Sequence, residues 1–195
     1  MGSLDNGTPA ASFKPGGKPL SWFRDGFFLT TDKACLDPKA VNDIFDSDLM
    51  WWNKPMDLSS ARTMLENCMT FAIFAVPDTE EALRRHGSPL DRSSMRLVGF
   101  ARLVTDYITF AYLTDVFVLK SHQRRGLARW MMRAIRETLT PWPYLRGLVL
   151  MTGDEAAARM YRQELGAVDI NEGPSKGLVL LEMPGKGEVA VPEGH

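Results

Sequence analysis

The chain has 195 residues, 45% of them hydrophobic and 24% charged, which suits one domain with a sizeable apolar core. A net charge of −1 and a pI near 6.3 exclude bulk attraction to nucleic acid or to an anionic membrane, so any basic function must be local. No apolar run approaches the ~20 residues of a membrane span and no secretory core is present, so a cytoplasmic protein without a membrane partner is expected.

Residues 1–20 are rich in Gly, Pro and Ser and read as a flexible tail. The start Met1-Gly2-Ser3 carries Asn6 where a myristoylation signal has Ser or Thr. A single domain is expected over residues 21–183, with residues 184–195 as a second flexible tail. Residues 27–31 predict a first strand. Asp37-Pro38 predicts an N-cap with proline at the first helical position, followed by apolar residues at 41, 44, 45 and 49. Residues 50–56 form an aromatic elbow, and Asp57 or Ser59 caps a second helix reaching Cys68. Cys35 and Cys68 match no zinc or redox spacing and read as buried free thiols. The nearly unbroken apolar run 69–76 predicts a strand buried on both faces.

Residues 77–95 are polar, with a Gly-Ser-Pro turn signal, and predict a loop with room for a short helix. Residues 96–104 and 110–119 predict two strands joined by a hairpin loop at 105–109. A helix is expected from about Arg125 to Leu139, stopped by Thr140-Pro141. A strand follows at 147–152, and then a helix capped by Asp154 that ends at Leu165 with Gly166 as the C′ residue. Residues 167–170 and 178–183 predict two last strands. The order gives an α/β fold whose mixed, mostly antiparallel central sheet carries about four helices.

The segment 121–129, SHQRRGLAR, joins a strand to the first turn of a helix. Such a turn offers unpaired N–H groups and the positive end of the helix dipole, a setting that suits phosphate. Small residues at Gly126 and Ala128 would let a phosphate approach closely, and Arg124, Arg125 and Arg129 could pair with it. A solvated basic face is the alternative, because Arg125, Arg129 and Arg133 share one side of the helix. No aromatic residues interleave with the arginines, which argues against a nucleic-acid partner. The nucleoside-triphosphate and dinucleotide glycine signatures are both absent.

Gln123-Arg124-Arg125-Gly126-Leu127-Ala128 resembles the Q/R-x-x-G-x-G/A signature of the GNAT superfamily of acyl-CoA-dependent N-acyltransferases. Downstream, Asp154-x-x-Ala157-x-x-x-Tyr161-x-x-x-x-Gly166-Ala167 is similar to that family's N-x-x-A-x-x-x-Y-x-x-x-G-F segment. It departs by Asp154 for Asn, one extra residue before Gly166, and Ala167 for Phe. Residues 98–118 resemble a small-domain microbial and fungal-type subgroup. The resemblance implies a sheet splayed between strands 112–119 and 147–152, with acetyl-CoA as co-substrate and no metal. It places the pantetheine along Val116, Phe117 and Val118, and the pyrophosphate on the N–H groups of Arg124, Arg125, Gly126, Leu127 and Ala128, with Gln123 and Arg129 as further cofactor-binding residues. Thr152, Asp154 and Ala157 complete the cofactor contacts. On this reading a bulkier residue at 126 harms phosphate binding more than Arg124→Ala.

Acyl transfer to an amine needs a lost proton, a donor for the growing oxyanion and a proton for the thiolate. The resemblance gives Tyr161 the general-acid position, and backbone N–H groups of 115–117 the oxyanion. Asp115 stands alone in an apolar strand, where a carboxylate is costly unless paired. It is read as a catalytic base or ammonium clamp, with a structural salt bridge as the alternative; Asp106, Glu66 and His122 are weaker candidates. In the family the acceptor lies near the first two helices, where Trp51, Trp52, Phe28, Tyr107 and Tyr112, with Phe110, could wall a compact pocket or simply pack as core. The expected acceptor is a primary amine of a small molecule. Peptide acetylation and a non-catalytic acyl-CoA-binding role are the alternatives, and a homodimer is left open.

Overall fold

The computed structural model describes residues 17–50, 52–76, 95–173, 176–177, 181 and 183. Six strands form one sheet in the order β1 to β6: β1 Ser21–Arg24, β2 Phe27–Thr30, β3 Met69–Ala75, β4 Arg96–Thr105, β5 Phe110–Val118 and β6 Gly147–Leu150. Neighbours β1 to β5 pair antiparallel, and β5 pairs with β6 in parallel. The helices are α1 Pro38–Phe45, α2 Leu58–Glu66, α3 Leu127–Leu139 and α4 Glu155–Leu165. Among the described residues no helix is long and apolar enough to cross a membrane.

Strand alternation divides the core in two. Leu29, Phe71, Ile73, Val98 and Leu103 face α3, meeting Leu127, Met131 and Ile135. Phe28, Ala72, Phe74, Phe100 and Phe117 face the other way, against Val41 and Phe45 of α1 and Leu65 of α2. Every residue of β3 but its last is buried, as the unbroken apolar run 69–76 predicts. Arg133 on α3 joins Glu164 on α4 through Nε to Oε2 at 2.8 Å and so ties the two helices together.

Several elements differ from the sequence-based expectation. The hairpin β1–β2 opens the fold, so residues 27–30 are its second strand. Its turn is Asp25-Gly26, with φ of 41° and 82°, the paired left-handed conformation of a two-residue hairpin loop. Helix α2 ends at Glu66, two residues before Cys68. Residues 167–170 are no strand. Asp169 instead folds the chain into a turn, its carboxylate accepting from Asn171 N–H and its carbonyl from the N–H groups of Glu172 and Gly173. The tails 1–16 and 184–195, the insertion 77–94 and most of the expected strand 178–183 lie outside the described residues. Cys68 is buried and Cys35 half-buried; neither is in a disulfide.

Candidate active site

The two parallel strands part company early. Phe110 to Leu113 pair with Gly147 to Leu150, where β6 ends, while β5 runs on to Val118. Leu119 N–H donates to Val98 O at 2.8 Å, so Leu119 turns its backbone to β4, and Phe117 does the same by alternation. Val116 and Val118 therefore face the open edge. The Val118 carbonyl accepts from Gln123 Nε2 at 3.0 Å. Of the three backbone contacts expected for pantetheine, Phe117 is turned away, and its ring stacks on Phe100 at 5.7 Å in the core.

Past β5 the chain makes a single 3-10 turn at Lys120–His122 and enters α3 through two left-handed residues, Arg124 (φ 61°) and Gly126 (φ 74°). A right-handed helix cannot hold them, so α3 starts at Leu127 rather than Arg125. Its first helical bond runs from Trp130 N–H to Gly126 O, leaving the N–H groups of Leu127, Ala128 and Arg129 without intrahelical partners. Helices α1, α2 and α4 are each capped by an aspartate, Asp37, Asp57 and Asp154, whereas the Gly126 cap has no side chain. A Cβ on Gly126 would meet only Arg24 Nη1 and Nη2 at 3.6 Å, so the left-handed φ, rather than crowding, is what calls for glycine.

Arg24, at the tip of the β1–β2 hairpin, thus hangs its guanidinium over the loop. The sequence reading missed it; the signal was Asp25-Gly26, a hairpin marker flanked by strand-forming residues. Arg124 and Arg125 are exposed beside it. Arg129 leans to Glu164, with Nη1 to Oε1 at 3.8 Å, so the arginine stripe divides between the loop and a helix–helix tie. Arg133, with its hydrogen bond, holds the Glu164 carboxyl below the usual range. The His122 imidazole is held below its ordinary pKa by burial and by Arg125 and Arg96, and its Nδ1 shares a 2.9 Å hydrogen bond with Ser121 Oγ. Three open amides, a positive helix end and nearby guanidinium groups fit a diphosphate.

On the β6 side, Thr152 Oγ1 accepts from Asp154 N–H, and Asp154 Oδ1 accepts from the N–H groups of Ala156 and Ala157. Asp154 thus does the capping work that its motif position requires. Two turns on, Tyr161 is 8% exposed within the α3-side core. Burial, with Asp154 adding to it, pushes its phenol pKa up to about 12.

On the opposite face, β5 carries a bulge: Asp115 and Val116 together oppose Ala101 of β4. Asp115 takes the left-handed position, φ 52°, and is 3% exposed. Its Oδ2 pairs with Arg102 Nε, and its Oδ1 accepts from Asn53 Nδ2 at 2.9 Å and from Thr114 Oγ1 at 3.3 Å. Asn53 belongs to the α1–α2 connector, which Asn42 pins by bonds to both the N–H and the carbonyl of Met56. Neither Asn53 nor Arg102 was singled out from sequence, although a lone arginine and a lone aspartate in neighbouring apolar strands carry that signal.

The expected acceptor wall is only partly assembled. Trp52 in the connector is 39% exposed, and Tyr112 is half-buried on β5 on the same face as Thr114. Phe28 lies within the α1–α2 core, 4.8 Å from the Phe23 ring. Tyr107 sits in the β4–β5 loop, at the far end of β5 from Val118, 6.4 Å from the Trp142 ring. Trp51 lies outside the described residues. Asp106 spends its carboxylate on the same loop, accepting from the N–H groups of Ile108, Thr109 and Phe110, and Glu66 is exposed at the end of α2.

Residues 58–167, from the start of α2 to two residues past the end of α4, match the model of the acetyltransferase (GNAT) family. The chain belongs to the GNAT family. An acetyltransferase inferred in the fungus Gibberella zeae is 31% identical over 173 residues, covering 87% of this chain and 96% of its own. A GNAT-family acetyltransferase assigned in Xanthomonas campestris pv. campestris superposes with a TM-score of 0.57 at 28% identity, over 82% of this chain and 95% of that one. A Staphylococcus aureus protein shares the fold at 18% identity and a TM-score of 0.54, over 80% and 99% of the two chains. The GNAT assignment makes the protein an acyltransferase, whose family takes acetyl-CoA as co-substrate.

Proposed function

We propose that this GNAT enzyme transfers acetyl directly from acetyl-CoA to the primary amine of a small molecule. The observation that carries the proposal is the open edge of β5, which presents Val116 and Val118 and leads straight to the uncapped, glycine-led start of α3. Val116 and the N–H of Val118 bind the pantetheine as an added strand would. Gly126 opens the way for the amides of Leu127, Ala128 and Arg129 to hold the pyrophosphate, with Arg24, Arg124 and Arg125 around it. Thr152, Asp154 and Ala157 border the same cleft on its other side. Acetyl-CoA supplies an activated thioester carbonyl there.

The amine nitrogen, as free base, attacks the thioester carbon; the C–N bond forms, the C–S bond breaks, and one proton passes in net from nitrogen to sulfur. Backbone N–H groups at the bulge meet the charge that grows on the oxygen. Tyr161 serves the departing sulfur. With its pKa near 12 it is always protonated at neutral pH, but full transfer to a thiolate of pKa about 8.5 would be uphill by roughly 5 kcal/mol. Tyr161 therefore lends its proton as a hydrogen bond more than it hands it over, a contribution of about 10²-fold. Trp52 and Tyr112 offer a compact, partly apolar wall, which favours a small amine.

The test is a thiol-release screen of acetyl-CoA against amino acids, polyamines, aminosugars and peptides. Turnover of a free small amine is the expected result. Turnover of peptides alone would move the acceptor to protein, and saturable binding without thiol release would leave a binding protein. No acetyl-CoA binding at all would overturn the proposal.

A further inference from the structure

Asp115 is a charged side chain in the left-handed position of a bulge, a place that glycine normally takes. Asp tolerates that conformation better than most residues, yet glycine would hold it at no steric cost. Something besides the backbone therefore accounts for the carboxylate. Its two oxygens are both engaged: Arg102 on one, Asn53 and Thr114 on the other. An ionised carboxylate only accepts, and this one is 3% exposed and turned to protein donors rather than to the cleft. Arg102 comes from β4 and Asn53 from the α1–α2 connector, so three separate elements meet at one side chain. Nearby stand the buried Cys68 thiol, which feels the charges of Arg102, Lys33 and Asp115, and Thr70, whose buried Oγ1 has no partner among the described residues and which pairs in register with Arg102.

Resting on the acetyl-transfer reading above, we infer that Asp115 is a positioning residue and not the base: clamped by Arg102 and Asn53, it fixes the bulge that aims the Val116 backbone at the cleft and ties it to the connector bearing Trp52. The acceptor wall and the oxyanion donors are thereby set by one network, so the amine and the thioester are placed relative to each other. The deprotonation step uses no carboxylate at this position.

Asn53→Ala, Asp115→Asn and Arg102→Lys test this, with Asn53→Ala the one that leaves every residue of the sheet in place, because it alters only a connector. In Asn53→Ala the KM for the amine rises about tenfold and kcat falls severalfold, while the calorimetric Kd for acetyl-CoA stays within twofold. Asp115→Asn, which keeps the shape and the left-handed tolerance, lowers kcat about tenfold without moving the ascending limb of the kcat/KM pH profile. Arg102→Lys, which keeps the charge but not the fork, falls between the two. A loss of 10³-fold or more in Asp115→Asn together with disappearance of that limb would make Asp115 the base and overturn the inference; so would wild-type kinetics in both Asn53→Ala and Asp115→Asn. Amide NMR separates this from failure of the transfer reading itself. Asn53→Ala shifts the resonances of residues 115–117 and leaves those of 126–129 in place, whether or not an amine turns over, and unmoved 115–117 resonances would overturn the inference even in an inactive protein.

Discussion

Arg124 and Gly126 carry the two left-handed conformations that turn the chain from β5 into α3. A β-branched residue at 126 forces either strain of about 1–3 kcal/mol or a reshaped loop. Gly126→Val should therefore weaken acetyl-CoA binding tenfold or more by calorimetry, whereas Arg124→Ala, one cation among several, should cost a few-fold. Tyr161→Phe should lower kcat by roughly 10²-fold. Because the Tyr161 phenol titrates near 12, kcat should show no descending limb from it below about pH 11. The same shift has a stability consequence: the folded state holds this proton more tightly than the unfolded chain, so the contribution is full below pH 10 and lost as pH rises toward 12. Chemical melts across that window should show stability declining. At this scale the sequence carried small and charged residues well. Gly126 was legible by its size, although its φ is what demands it, and Asp115 was legible as a charge in an apolar strand. Aromatic residues were not: Phe28 and Tyr107 have the composition of a pocket wall, but only packing decides that one is core and the other stands at the far end of β5.

Among the elements, the aspartate caps do much of the local work. Asp154→Ala removes two acceptor bonds from the first turn of α4 and should cost about 1 kcal/mol. In a chain of this size that lowers Tm by roughly 2–4 °C, measurable by calorimetry. Since α4 carries Tyr161, activity should fall somewhat alongside. Strong apolar runs and capping signals made β3, β4, β5 and the four helices readable from sequence. What failed was brevity and competing turn chemistry. β1 has four residues, and its alternation was hidden beside a Gly- and Pro-rich tail. Residues 167–170 carry strand-like types, but Asp169 prefers to fold the chain on itself. The start of α3 was misplaced by two residues, because nothing in Arg124 announces a left-handed backbone.

For the molecule as a whole, the GNAT order of strands explains why a near-neutral chain can hold a polyanion. The net charge is −1, yet Arg24 reaches the loop that carries the exposed Arg124 and Arg125, so in the proposed site the attraction is local. Acetyl-CoA at about 100 times its Kd should stabilise the fold by roughly 2.7 kcal/mol, raising Tm by several degrees, and a tenfold loss of affinity in Gly126→Val should cut that to roughly 1.4 kcal/mol, about half the rise, at the same concentration.

The hairpin that brings Arg24 to the loop also reaches the other end of α3, where Trp22 Nε1 donates to Glu137 Oε2 at 3.1 Å across 115 positions of sequence. During synthesis at about 5–20 residues per second, β1 waits roughly 6–23 s for that helix to be made. Throughout that interval Trp22 lacks the α3-side core it packs against, whereas Phe23 packs on the α1–α2 side, and the charged Arg24-Asp25 pair ends the strand. Among the described strands β1 is thus made first, yet its tie to α3 can form only after Glu137 has been made.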